Sequence, residues 1–215
     1  MGRLQAAHRT RDTGGEAAGE GSVLDKVRVL VQVHVAVGRQ RRALAKIEEG
    51  GLAGTHPVAV VVGPLEATEP VHVPRLGGGT IPLRIIHVPG KAHLTDYALE
   101  VGKFALGWFQ EYYDIAYPTD KCDMLALPDF AAGAMENLGC ITFREYLLLA
   151  DPQVATQFDL QNIADVITHE LAHMWFGDLV TMRWWNGIWL NEAFATFMEV
   201  ACCEAFRPDW LRWTS

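Results

Sequence analysis

Residues 168–192 read T-H-E-L-A-H-M-W-F-G-D-L-V-T-M-R-W-W-N-G-I-W-L-N-E, and the meaning of this stretch decides how the rest of the chain is read. His169 and His173 are four residues apart. A helix turns once in about 3.6 residues, so both imidazoles leave one face about a turn apart, where they can share one zinc ion. A catalytic zinc takes three protein ligands and leaves its fourth position to water, which it acidifies. Glu170, beside the first histidine, is placed to accept the proton. H-E-x-x-H on a helix therefore points to metal-assisted hydrolysis, most often of peptides.

The motif must sit on a helix and must find a third ligand. Upstream, Leu160, Ile163, Val166, Ile167, Leu171 and Met174 recur at helical spacing, and Gly177 stands where a helix would stop. A metzincin would need Gly at 176 and His at 179, but the chain has Phe176 and Leu179, so that arrangement is excluded. Glu192, separated from His173 by eighteen residues, lies in W-L-N-E-A-F-A-T-F-M-E. This segment predicts a second buried helix facing inward through Leu190, Phe194, Phe197, Met198 and Ala201. Glu199, two turns beyond Glu192 on the same face, is a rival for the same ligand position.

H-E-L-A-H-M-W-F-G-D-L-V-T followed by N-E-A-F-A resembles the aminopeptidase N family of zinc exopeptidases. A separate motif agrees: within A-L-P-D-F-A-A-G-A-M-E-N-L-G, Gly133, Ala134, Met135, Glu136 and Asn137 are similar to that family's exopeptidase motif. The resemblance implies a gluzincin in which His169, His173 and Glu192 hold one zinc ion, with Glu192 preferred to Glu199. It implies that Glu170 is the catalytic base and that Glu136 binds the free α-amino group of a peptide while the backbone around it pairs with the substrate. A carboxylate in a closed pocket of low dielectric favours an ammonium group strongly, and only the first residue of a peptide carries one there. The implied activity is release of amino-terminal residues. An endopeptidase or another gluzincin substrate, and a zinc-binding segment without turnover, are the alternatives. The resemblance further implies an oxyanion-stabilising tyrosine several dozen residues beyond Glu192, past Ser215, and leaves the apolar face of the Glu192 helix exposed.

Half of the 215 residues are apolar, enough to bury a core. No run of eighteen apolar residues and no apolar signal core in the first thirty are found, so neither a membrane partner nor secretion is expected, and cytoplasm is the default. Cys122, Cys140, Cys202 and Cys203 have no C-x-x-C spacing and are expected as thiols, mostly buried. Residues 1–46 hold nine Lys/Arg against four Asp/Glu, and residues 47–215 hold nine against twenty-two. The basic part, with Arg39, Arg41 and Arg42, has no interleaved aromatics, so it reads as a solvated tail and not as a nucleic-acid surface.

Residues 1–56 match nothing in the family. Positions 1–22 are expected to be disordered, the alternation at 27–37 predicts a strand, and 39–49 predict a short polar helix. Residues 57–90, with apolar runs at 58–62, 71–73 and 81–88, look like the last strands of the family's amino-terminal β-domain. His72, His87 and His93 lack metal spacing and are expected to be structural. Residues 91–215 are expected to form the first part of the catalytic domain. Thr95 and Asp96 can cap a helix buried through Ala98, Val101, Phe104, Ala105, Trp108, Phe109 and Tyr112. Strands follow at 122–127 and 139–144, with the 133–137 motif as strand or loop between them. The fold class expected is α+β, a thermolysin-like zinc metallopeptidase half domain preceded by β-strands. Trp175, Trp184, Trp185 and Trp189 are expected to pack around the site. Asp178 is open between orienting a ligand histidine and standing as a helix-end surface carboxylate.

Overall fold

A computed structural model describes residues 64–214. The strand expected at 27–37, the helix at 39–49, the strand at 58–62 and the disorder at 1–22 all lie outside the described residues.

Six strands form one sheet: β1 (Glu66–Ala67), β2 (Val71–Pro74), β3 (Thr80–His87), β4 (Cys122–Leu127), β5 (Ala134–Met135) and β6 (Cys140–Arg144). Its order is β1-β3-β4-β6-β5, with β2 also paired to β3. Side chains along a strand alternate between faces. On one face Ile81, Leu83, Ile85, Met124, Ala126, Ile141 and Phe143 join the main core, and on the other Ile86, Leu125 and Leu127 form a small second cluster with Leu65, Ala67 and Phe130. The central β4 is buried along its whole length because it is covered on both sides. β3 and β4 pair in parallel, so the chain must cross over between them. The crossing segment is α1 (Asp96–Tyr113). The strands that resemble a separate β-domain therefore share a sheet with β4 and β6. Arg84 and Asp123 are register partners, and a two-pronged ion pair at 2.8 and 2.9 Å joins them across the pairing.

The α1 stripe differs in part from its sequence pattern. Ala98, Val101, Ala105 and Phe109 are buried as expected, together with Tyr97, Leu106 and Gln110, whereas Phe104 and Trp108 are half-buried and Tyr112 is exposed. Thr95 does not cap α1 with its side chain. Its hydroxyl donates to Ala92 O at 2.8 Å and closes the 3-10 turn before the helix. At the other end Asp114 takes a left-handed conformation and stops the helix. Buried Gln110 ties this end to the β2–β3 turn, accepting from Leu76 N and Tyr117 N and donating to Pro74 O.

Two more helices lie beyond α1: α2 (Gln157–His173) and α3 (Trp189–Phe206). A capping box starts α2, with Asp159 N donating to Thr156 Oγ1 and Thr156 N to Asp159 Oδ2. α3 packs on α2 through Ala195, Met198, Cys202 and Cys203. This corrects the expected face: Leu190, Phe194 and Phe197 are 37%, 40% and 50% exposed, and only Met198 of the large residues named is buried. Ala195, Cys202 and Cys203 put small side chains at the seam beside Met198, while Phe194 stacks on Phe176 at the edge. No helix among the described residues is long and apolar enough to cross a membrane. The four cysteines are free, three of them buried and Cys140 half-buried.

Candidate metal centre

The last turn of α2 and the first turn of α3 meet to build the site. His169 and His173 project from α2, with their Nε2 atoms 3.1 Å apart. Glu192 Oε2 lies 3.3 Å from His169 Nε2 and 3.5 Å from His173 Nε2. These three form the one group of candidate metal ligands found among the described residues. Donor atoms about 2.0–2.1 Å from a tetrahedral ion stand roughly 3.3 Å from one another, so the triangle has the size of a zinc ligand set.

The opposite nitrogens of both rings are engaged. His169 Nδ1 lies 3.0 Å from Glu199 Oε2, while His173 Nδ1 lies 2.9 Å from Phe176 O and 3.1 Å from Asn191 Oδ1. Asn191 reaches His173 because Gly177, at φ +132°, leaves room for it. Gly177 follows α2 as expected, but the helix ends four residues earlier, and the clearance it provides was not visible in the sequence.

Electrostatics favour a cation at this place. Glu170 is buried, its Oε2 has no hydrogen-bond partner, and burial pushes its carboxyl up to about 8; His169 opposes this, whereas Glu136, Glu192 and Glu199 add to it. Burial works against a charged His169, but Glu199, Glu170 and Glu192 together hold that imidazole above its usual range. The cluster is thus rich in carboxylate and short of positive charge, and its His/His/Glu donor set suits a divalent ion.

The 133–137 motif borders this cluster. β5 carries Ala134 and Met135 and pairs with β6 through Ala134↔Phe143 and Met135↔Thr142. Glu136 follows β5, half-buried and close enough for its charge to act on Glu170 and Asp178. Asn137 is tied to its neighbours: its side chain donates to Thr142 Oγ1 at 3.3 Å, and its backbone N–H donates to Met135 O. Gly133 O accepts from Arg144 N at 2.8 Å. The Arg144 guanidinium clasps the preceding loop by donating to the carbonyls of Phe130, Ala131 and Ala132. Nothing in the motif's own letters announces that clasp.

Asp178 fits neither expected reading. It makes no hydrogen bond to a histidine ring; its backbone N–H donates to His173 O, and its buried Oδ2 is unpartnered. Burial, helped by Glu136, raises its carboxyl to about 7. Of the four tryptophans expected to pack around the site, only Trp175 is buried, against Phe109, Tyr113 and Tyr117; Trp184, Trp185 and Trp189 are 65%, 67% and 61% exposed. His87 is buried with Nδ1 2.8 Å from Val88 O, and His72 Nδ1 meets Thr80 Oγ1.

A family profile described as "Peptidase family M1 domain" matches residues 97–215. "Aminopeptidase M1-C" of Oryza sativa subsp. japonica is 45% identical over 167 residues, covering 78% of this chain and 18% of that protein. "Puromycin-sensitive aminopeptidase" of Caenorhabditis elegans is 43% identical over 156 residues, 73% of this chain and 16% of that one. "Aminopeptidase N" of Lactococcus lactis subsp. cremoris is 50% identical over 128 residues, 58% of this chain and 15% of that one. The chain spans less than a fifth of the length of these relatives. With more than half of its residues matched by the profile and this metal-ligand geometry in place, the chain belongs to peptidase family M1.

Proposed function

We propose that the chain carries the metal centre and amine-binding motif of a zinc-dependent aminopeptidase, acting on peptides with a free amino terminus. The observation that carries this reading is the convergence of His169 Nε2, His173 Nε2 and Glu192 Oε2 within 3.1–3.5 Å of one another, on a cluster that Glu136 borders. His169, His173 and Glu192 would hold one Zn2+. When bound, zinc supplies a Lewis acid that polarises a peptide carbonyl and acidifies water. Glu170 Oε2, buried and unpartnered, accepts the proton of the attacking water and returns it to the leaving amine. Glu136 holds the substrate's ammonium group, and Gly133, Ala134, Met135 and Asn137 line the same amino-terminus site. Anchoring the amino terminus limits cleavage to the first peptide bond. In this reading residues 57–90 are the terminal strands of an amino-terminal β-domain, and 91–215 are the beginning of a thermolysin-like catalytic domain.

A second reading concerns the 215-residue chain by itself. Trp184, Trp185, Trp189, Phe197 and Trp213 are all at least half exposed. Exposed aromatics of this kind mark a surface that another body covers, and on that ground the second reading is a chain that binds zinc without turning over substrate unaided.

Zinc content of the purified chain, measured alongside hydrolysis of an unblocked aminoacyl-anilide, tests both, with His169→Ala as control. One zinc per chain, with turnover abolished in the variant, supports the first reading; zinc without turnover supports the second. Failure to bind zinc would overturn both. Faster cleavage of amino-blocked peptides than of free ones would overturn the role of Glu136.

A further inference from the structure

The two histidines of the centre are each held from behind, and by different partners. An imidazole has one proton to place when neutral, and whichever nitrogen keeps it cannot coordinate a metal. A free histidine is under no obligation to offer Nε2. In this site, however, the Nδ1 atoms of both rings face acceptors: Glu199 Oε2 at 3.0 Å from His169, and Phe176 O and Asn191 Oδ1 at 2.9 and 3.1 Å from His173. A carbonyl oxygen can only accept, so the proton on His173 sits at Nδ1. Glu199 asks for a proton at Nδ1 of His169 as well; Glu192 Oε2, at 3.3 Å from Nε2, competes for that proton in the metal-free chain, and Glu199 is the nearer of the two carboxylates at 3.0 Å.

We propose that Glu199 is a positioning residue for the metal centre: by accepting from His169 Nδ1 it locks that ring with Nε2 facing His173 and Glu192, as Asn191 and Phe176 O do for His173. This rests on the reading that His169, His173 and Glu192 are the metal ligands. It also removes Glu199 as the rival third ligand. The two nitrogens of one ring point to opposite sides, so an oxygen 3.0 Å from Nδ1 does not share an ion with Nε2 of the same ring. α3 thus contributes two carboxylates two turns apart with separate duties. Glu192, with a 61% exposed side chain, faces the open side of the triangle, and Glu199, only 17% exposed, lies behind it. Thr168, next to His169 in α2, meets Cys203 at 3.2 Å and fixes the helix pair at the same level.

An outer partner of this kind typically contributes about 10–100-fold in metal affinity. The experiment has two readouts on the full chain, neither needing turnover. Competition between the chain and a chromogenic chelator gives Zn2+ affinity, and 15N-imidazole NMR of the zinc-free chain gives the tautomer of His169. Glu199→Ala is expected to bind one Zn2+ about 10–100-fold more weakly, with His169 drifting from the Nδ1–H towards the Nε2–H tautomer. Glu199→Gln, whose amide oxygen can still accept from Nδ1, should recover part of both, and it decides the matter if the alanine variant does not fold. A Co2+-loaded sample should keep the same ligand-field bands in either variant, because the ligands are unchanged. Wild-type affinity and tautomer in Glu199→Gln and Glu199→Ala would overturn the proposal, as would altered Co2+ bands in Glu199→Ala with normal bands in Glu192→Ala. If His169→Ala instead keeps wild-type zinc affinity, the metal-site reading itself fails, and the two failures are told apart.

Discussion

A Cβ on Gly177 would stand 2.4 Å from Asn191 Oδ1 and 3.3 Å from His173 Nδ1. The absence of a side chain there is what lets α3 bring Asn191 against the end of α2. The backbone at Gly177, with φ +132°, is also one that residues with a Cβ rarely adopt. Gly177→Ala is expected to lower stability by about 1–3 kcal/mol and to weaken zinc binding, since Asn191 must move. Urea unfolding of the zinc-free chain and a zinc competition titration check this. A variant with the wild-type midpoint and affinity would show that the junction relaxes at no cost.

Glu170→Gln separates metal binding from proton transfer. The amide keeps the shape of a buried side chain that is only 6% exposed but cannot take a proton. Zinc stoichiometry should stay at wild-type level, while any peptide or anilide turnover should fall by about 10²–10⁴-fold. Retained turnover would transfer the base role to another group.

Asp178 carries a pH signature. Its carboxyl is raised from an ordinary value of 3.8 to about 7, first by burial and then by Glu136. A folded value above the unfolded one means that the stabilising contribution is fully present below the unfolded value and lost as pH rises through the folded value. Asp178→Asn stays neutral and escapes that loss. The variant should match the wild type near pH 4 and gain steadily to about 1–2 kcal/mol by pH 8, a figure reduced for partial exposure. Urea midpoints across this range test it, and a gap that narrows with pH would contradict the sign.

Arg144 holds the loop before β5 with donors on three successive carbonyls, a task that suits its planar fork. Arg144→Lys keeps the charge and loses the fork. In a turnover assay on free-amine substrates KM should rise more than kcat falls, because the variant loosens the segment leading into Glu136 while leaving His169 and Glu170 in place. An equal fall in kcat at constant KM would argue against this division.

The thiols should be inert in the folded chain. Burial pushes Cys122 up to about 12 and also raises Cys140, Cys202 and Cys203. Little thiolate is available at pH 8, and three of the four are enclosed. Alkylation followed by mass spectrometry should label Cys122, Cys202 and Cys203 only in denaturant, with half-buried Cys140 reacting slowly in its absence.

Local periodicity was enough to read much of this chain. The spacing of His169 and His173 on a helix, the strand Cys122–Leu127 and the start of α1 at Asp96 all depend on neighbours within a few residues. Contacts across the sheet and between helices were not legible in the same way. Hydrophobic spacing alone turned Phe194 and Phe197 inward, yet close packing of α2 and α3 requires Ala195, Cys202 and Cys203 at the seam and turns the aromatics out.

By itself the sequence determined the chemistry: two histidines one turn apart, a neighbouring glutamate, and a second motif containing Glu136. The family resemblance preferred Glu192 to Glu199, but it is the tertiary structure that sets Glu192 against Nε2 of His169 and Glu199 against Nδ1. Both lie on one face of one helix, so no periodicity separates them. The way α3 packs across α2 does, and that is set by side chains far apart in the chain packing into one core.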